Sequence, residues 1–144
     1  MFISSLTDRG ATPALELMWS FTRQRHTMIA ENVANWGVPG YKTKRVDARA
    51  FQQELGRALK ARSRDPSRPL RVRDTDQFQT DSTGRLKLTP TVRPANSILF
   101  HDGTNLSIDR QMADLAENAM VHETVTTMLR GRYEGVRKAI RGRV

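Results

Sequence analysis

The side chains best suited to move a proton or hold a metal near neutral pH are the three histidines, His26, His101 and His122. Their spacing serves neither task. A zinc site on a helix needs two histidines about four residues apart, as in H-E-x-x-H, and no such pair occurs. His101, Asp102 and Ser107 supply the residue types of a nucleophilic triad. They share one loop, however, with no strained strand-to-helix turn to present the serine. Gly84 and Gly103 are isolated, so no phosphate-cradling loop is expected. With no cysteine in the chain, thiolate chemistry, disulfides and cysteine-ligated metals are excluded together. No catalytic residue, metal or cofactor is expected, and an enzyme is the least supported class.

Charge is the next feature with chemical meaning. The 144 residues carry a net charge of +9. Residues 41–73 hold eleven Lys/Arg against three Asp/Glu, and Arg130 to Arg143 adds six basic residues and one acidic. Such runs suit nucleic acid, anionic lipid or an acidic protein surface, and a solvated face looks the same. The chain length suits one domain. Only 38% of residues are hydrophobic and 6% aromatic, which points to a thin, helix-dominated core supported by partner chains. MFISSLTDRG lacks the basic and apolar regions of a cleaved secretory signal, and no run approaches membrane-spanning length.

The elements that position these residues follow from periodicity. Thr12-Pro13 reads as a helix start with a hydroxyl cap, and nothing breaks the helix before Asn35. Leu15, Met18, Trp19, Thr22, His26, Ile29, Ala30 and Val33 form one broad stripe, and Leu17, Phe21 and Met28 form a second. Two stripes require more than one neighbour, and His26 is expected to be a packed residue. Ile108, Met112, Leu115, Ala119, His122, Thr126, Leu129, Tyr133, Val136 and Ile140 step by fours and threes as a heptad seam. A helix of that length runs about 50 Å, too long for the interior of a 16 kDa domain, so it must lie along the first helix, about 35 Å long. Gly131 and Gly135 inside it mark either a weakened helix or a close approach by a neighbour.

Between the long helices, residues 43–60 carry a short helical pattern through Phe51, Leu55 and Leu59. ARSRDPSRPLRVRDTD reads as extended or loop. Gly84 to Thr89 alternates like a short strand ending at Pro90, and Pro94, Asn96, Asp102, Gly103 and Asn105 make a further loop.

The segment ENVANWGVPGYK, residues 31–42, stops the first helix. Asn35 and Trp36 end it, Gly37 suits a left-handed closing position, and Pro39-Gly40 suits a type II turn. Asn32 and Asn35 can bond backbone groups there, and Tyr41 can fold back over the turn. A helix-turn-helix reading, with arginines on DNA phosphates, fails mechanically. The first helix is apolar on two sides and the long seam would have no role.

The same segment resembles the signature of bacterial flagellar axial proteins, approximately Asn-Ile-Ala-Asn-x-x-Thr-Pro-Gly-Tyr. Asn32-Val33-Ala34-Asn35 and Pro39-Gly40-Tyr41 match it, with Val38 in place of threonine. Val46-Asp47, Phe51 and Arg23-Gln24-Arg25 are similar to the proximal rod proteins of the basal body. So are residues 112–119 and 136–140. The similarity covers about residues 13–55 and 102–140 in the right order.

The resemblance implies a mainly α protein. Its long N- and C-terminal helices would pair as an antiparallel coiled coil, an inner domain of residues 1–35 and 105–144. Residues 36–104 would form a turn, a short helix and an extended, Arg- and Pro-rich middle with short β structure. It implies a structural rod subunit that polymerises helically to transmit torque from motor to hook and filament. The signature turn would be Asn32, Asn35, Gly37, Pro39, Gly40 and Tyr41. Helix pairing and assembly would use Leu15, Met18, Ile29, Val33, Met112, Leu115, Leu129, Val136 and Ile140. Implied partners are further copies, other rod proteins, MS-ring or rod-base adaptor proteins and the export gate. Export would run through the flagellar type III apparatus without a cleaved signal, to the periplasm-spanning rod. A basic helical nucleic-acid-binding protein is the alternative; neither nucleic acid nor stable membrane insertion is expected.

Overall fold

The computed structural model describes residues 10–38, 41–65, 69–81, 85–92 and 108–142. Pro39, Gly40, Gly84, the His101-Asp102-Ser107 trio and the loop residues Pro94 to Asn105 lie outside them. The fold is mainly helical with short antiparallel strands, in the order α1 (Thr12–Ala34), β1 (Lys44–Arg45), α2 (Ala48–Arg64), β2 (Phe78–Thr80), β3 (Leu86–Leu88), β4 (Thr91–Val92) and α3 (Ile108–Ile140). No helix among the described residues is long and apolar enough to cross a membrane.

The start of α1 differs from the expected cap. Ala11 takes the cap position without a side-chain bond, and Thr12 is buried inside the first turn. Pro13 still falls where its missing N–H costs nothing. The start of α2 is better made: the Asp47 side chain accepts from Ala50 N at 3.0 Å, satisfying one of the free donors of a helix start. Phe51 and Leu55, one turn apart, face inward. This helix continues past Lys60 to Arg64 and stops at Asp65, before Pro66. The expected loop begins later because Ala61, Arg62 and Arg64 are good helix formers, and the two arginines suit a helix C-terminus.

The expected strand near Leu86 is present, and two further features accompany it. β2 and β3 pair antiparallel with Phe78 opposite Leu88 and Thr80 opposite Leu86. β1 and β4 pair with Lys44 opposite Val92 and Arg45 opposite Thr91. Gln24 of α1 completes an edge: its Nε2 donates to Leu86 O at 2.7 Å and its Oε1 accepts from Leu88 N at 3.0 Å. A side-chain amide thus substitutes for a neighbouring strand.

The hairpin, α2 and α1 enclose a dry core of Ala14, Leu17, Phe21, Phe51, Leu55, Val72, Phe78 and Leu86. Phe21 and Phe51 stack with ring centres 4.0 Å apart and planes within 3°. Phe78 meets both edge-on, at 6.2 and 5.6 Å, the arrangement that ring quadrupoles favour.

α3 packs on a different face of α1. Glu16 meets Tyr133, Thr22 meets Asn118 and His122, and Asn32 meets Gln111. Rising numbers in one helix meet falling numbers in the other, so the two run in opposite directions. The buried row on α3 is Gln111, Asn118 and Val125, beside half-buried Leu115, His122, Leu129 and Val136. This corrects the expected seam in one of its two rows. Leu115, His122, Leu129 and Val136 are half-buried along the pair. Met112, Ala119 and Ile140 point to solvent, Tyr133 reaches Glu16 at the edge of the pair, and positions one residue earlier replace Met112, Ala119 and Thr126. The cause is that Gln111 and Asn118 find hydrogen-bond partners inside, so hydropathy misranks them. His26 is likewise exposed, not packed.

Candidate functional site

The conspicuous site lies where α1 ends, β1 begins and α3 starts. Asn32 is 1% exposed, and a buried primary amide is costly unless its donors and acceptors are all engaged. They are. Nδ2 donates to Lys44 O at 2.8 Å and to Gln111 Oε1 at 3.1 Å. Oδ1 accepts from Lys44 N at 3.0 Å and from the Tyr41 hydroxyl at 3.2 Å. One side chain therefore fixes the helix end, the returning chain and the long helix together. Next to it, Lys44 pairs with Glu31 at 2.9 Å. That hydrogen bond, with the Glu31 charge, holds the lysine above its ordinary pKa.

The helix stop itself uses backbone bonds in steps of three and four. Asn35 N and Asn35 Nδ2 both reach Glu31 O, the latter at 2.7 Å. Trp36 N bonds Val33 O, Val38 N bonds Asn35 O, and Tyr41 N bonds Val38 O. Gly37 does not take the left-handed conformation expected of it, since among the described residues only Gly10 and Gly142 have positive φ. The Asn35 amide cap and the tight turns after it close the helix instead.

A second group lies midway along the helix pair. The Thr22 hydroxyl donates back to Met18 O and Trp19 O. Its oxygen also lies 2.7 Å from His122 Nδ1, in a hydrogen bond whose direction follows the imidazole tautomer. Trp19 lies over the His122 ring at 5.9 Å, with the Arg23 guanidinium above the indole. Asn118, 0% exposed, donates to Thr22 O at 2.9 Å, while its Oδ1 is buried without a partner. At the far end the Tyr133 hydroxyl donates to Glu16. That bond, with burial and the carboxylate charge, pushes the phenol up to about 12.

Of the residues singled out in the sequence, Asn32 and Tyr41 come together, Asn35 caps the helix through Glu31 O, Gly37 follows it, and Pro39 and Gly40 lie outside the described residues. Ile29 is buried beside Gln111 and Asp114. Met18 packs on the aromatic core, and Leu15 and Val33 are half-buried. Sequence reasoning missed Gln111 and Asn118, whose signal was a heptad spacing hidden by polar residue type. It also missed Gln24 as a strand clamp. Among the described residues no cluster of three acidic or histidine side chains is placed to hold a metal. The arrangement joins three segments of the chain.

An antiparallel pair of terminal helices, closed by an asparagine-tyrosine stop, suits a protein that packs against others. The chain is similar in sequence to flagellar basal-body rod proteins over most of its length. No family model matches it. The relatives concerned are named flagellar basal body rod protein FlgB. That of Borrelia hermsii is 29% identical over 118 residues, covering 81% of this chain and 85% of its own. That of Bacillus subtilis is 23% identical over 133 residues, 92% and 95% of the two chains. The Escherichia coli protein is 26% identical over 119 residues, 78% and 80%.

Proposed function

We propose that this chain is a structural subunit of the bacterial flagellar basal-body rod, in its proximal part, acting by rigid packing and not by catalysis. The observation that carries this is the similarity to FlgB proteins, which runs through most of both chains. A nucleic-acid reading has no support in those names. The α1–α3 pair is taken as a coiled coil forming the inner domain with residues 1–35 and 105–144, and residues 36–104 as the outer segment. Hydrogen bonds at three levels of the pair, and exposed apolar residues such as Met112, Met120, Met128 and Ile140, support a packed subunit with faces left for neighbours. The Asn32–Tyr41 junction sets the angle between inner and outer parts. Further copies and other rod proteins are the main partners, with ring or rod-base adaptors and the export gate at one end. Export runs through the flagellar type III apparatus without a cleaved signal.

Imaging of isolated basal bodies tests this. Density for the paired helices within the rod is expected, and it should vanish from cells lacking the gene and return on complementation. Basal bodies with a complete rod in the deletion strain would overturn the reading.

A further inference from the structure

Two exposed helix faces remain after the core and the helix pairing are accounted for. On α3, Asp109, Met112, Ala116, Met120 and Glu123 follow one another at steps of three and four, so they share one side. All are exposed, Met112 at 50% and Met120 at 70%. On α2, Arg49, Gln53, Gly56, Lys60 and Arg64 are related in the same way, opposite the buried Phe51 and Leu55. At 1.5 Å per residue the first stripe is about 21 Å long and the second about 22 Å.

Their chemistry is complementary along that length. One stripe has a carboxylate at each end and two methionines between. The other has cations toward both ends and at its centre Gly56, which has no side chain and open space where a Cβ would stand. Among the described residues, Asp109, Glu123, Arg49, Lys60 and Arg64 make no ion pair within the chain. Methionine, unbranched and adaptable, suits a face that a missing side chain leaves open. We propose that the α2 stripe of one copy docks on the α3 stripe of a second copy, with Met112 and Met120 flanking Gly56 and the charged ends paired.

The two stripes cannot satisfy each other within one molecule. α2 is anchored to α1 through Phe21 and α3 through Thr22, and consecutive helical residues diverge by about 100°. A contact between two different faces is heterologous, so each copy keeps one free face of each kind and the array stays open. The biological setting of this contact rests on the rod reading; the docking itself does not.

The chain has no cysteine, so single cysteines report the contact. Gly56→Cys and Ala116→Cys chains, mixed under mild oxidation, should form a disulfide-linked dimer roughly tenfold faster than either alone. Both should keep the native circular dichroism. Adding Arg49→Glu and Lys60→Glu to the Gly56→Cys chain should slow the mixed dimer roughly tenfold. Adding Asp109→Lys and Glu123→Lys to the Ala116→Cys chain should restore it, since like charges repel and swapped charges attract. A mixed dimer no faster than the homodimers, or one indifferent to the charge swap, overturns the proposal. So does salt-sensitive duplex binding lost with Arg49→Glu and Lys60→Glu, which would assign the cationic face to nucleic acid. Incorporation of the wild-type chain into basal bodies separates the two readings. Incorporation without the cross-link rejects this contact and keeps the rod, and the cross-link without incorporation does the reverse.

Discussion

α1 has two buried faces, and they are built differently. Toward α2 and the hairpin it presents Ala14, Leu17 and Phe21 to an aromatic cluster. Toward α3 it presents Thr22 and Asn32 to Gln111, Asn118 and His122. Dry aromatic contacts are strong but tolerate sliding, whereas buried hydrogen bonds add little net stability and are lost if the register shifts. The first face holds the subunit folded, and the second sets where the long helix sits.

Phe51→Ala should give the largest effect. It removes a ring stacked on Phe21 and edge-on to Phe78, and a loss of about 3–5 kcal/mol is expected in urea unfolding. A loss under about 1 kcal/mol would break the contrast. Asn32→Ala comes next, at about 3 kcal/mol, because it strands the Lys44 backbone groups and Gln111 without partners. Asn118→Leu should stay within about 1 kcal/mol, since the side chain gives one hydrogen bond and buries an unpaired oxygen that leucine removes. Equal costs for Asn32→Ala and Asn118→Leu would show that the junction has no special place in the interface.

Tyr133 gives a smaller, pH-dependent effect. Its folded pKa of about 12 lies above the ordinary 10.0, so the protonated phenol is favoured in the folded chain. The contribution is complete below pH 10 and fades as pH rises through 12. Tyrosine Cζ shifts followed by NMR should show the Tyr133 midpoint falling toward 10 in Glu16→Gln. Little change in stability is expected for so exposed a pair. Gly37→Ala should be the mildest change, within about 0.5 kcal/mol, because φ is not positive there and a Cβ would meet nothing.

Gly37 also shows what the sequence conceals. Its place after a helix suggested a left-handed residue, but the Asn35 amide closes the helix by another route. The helices themselves were legible because apolar spacing reports them directly. One row of the α3 seam, Leu115 to Val136, was legible for the same reason. The other row was not, because a glutamine or asparagine is buried only if a partner waits, and that partner is 79 or 96 residues away. The Asn32 junction was half legible: its residues were named, but the bond to Gln111 depends on tertiary geometry. The β1–β4 pair is too short for alternation to reveal, and β2 carries a single apolar residue, Phe78, where β3 has two.

The polar contacts between α1 and α3 also have a mechanical consequence. They sit at residues 111, 118 to 122 and 133 of the long helix, spread over about 33 Å. A force along the helix axis loads them side by side in shear, so sliding must break all three sets at once. A force that lifts one end breaks them one after another, at a much lower peak load. The helix pair is therefore stiffer against sliding along its axis than against peeling from one end.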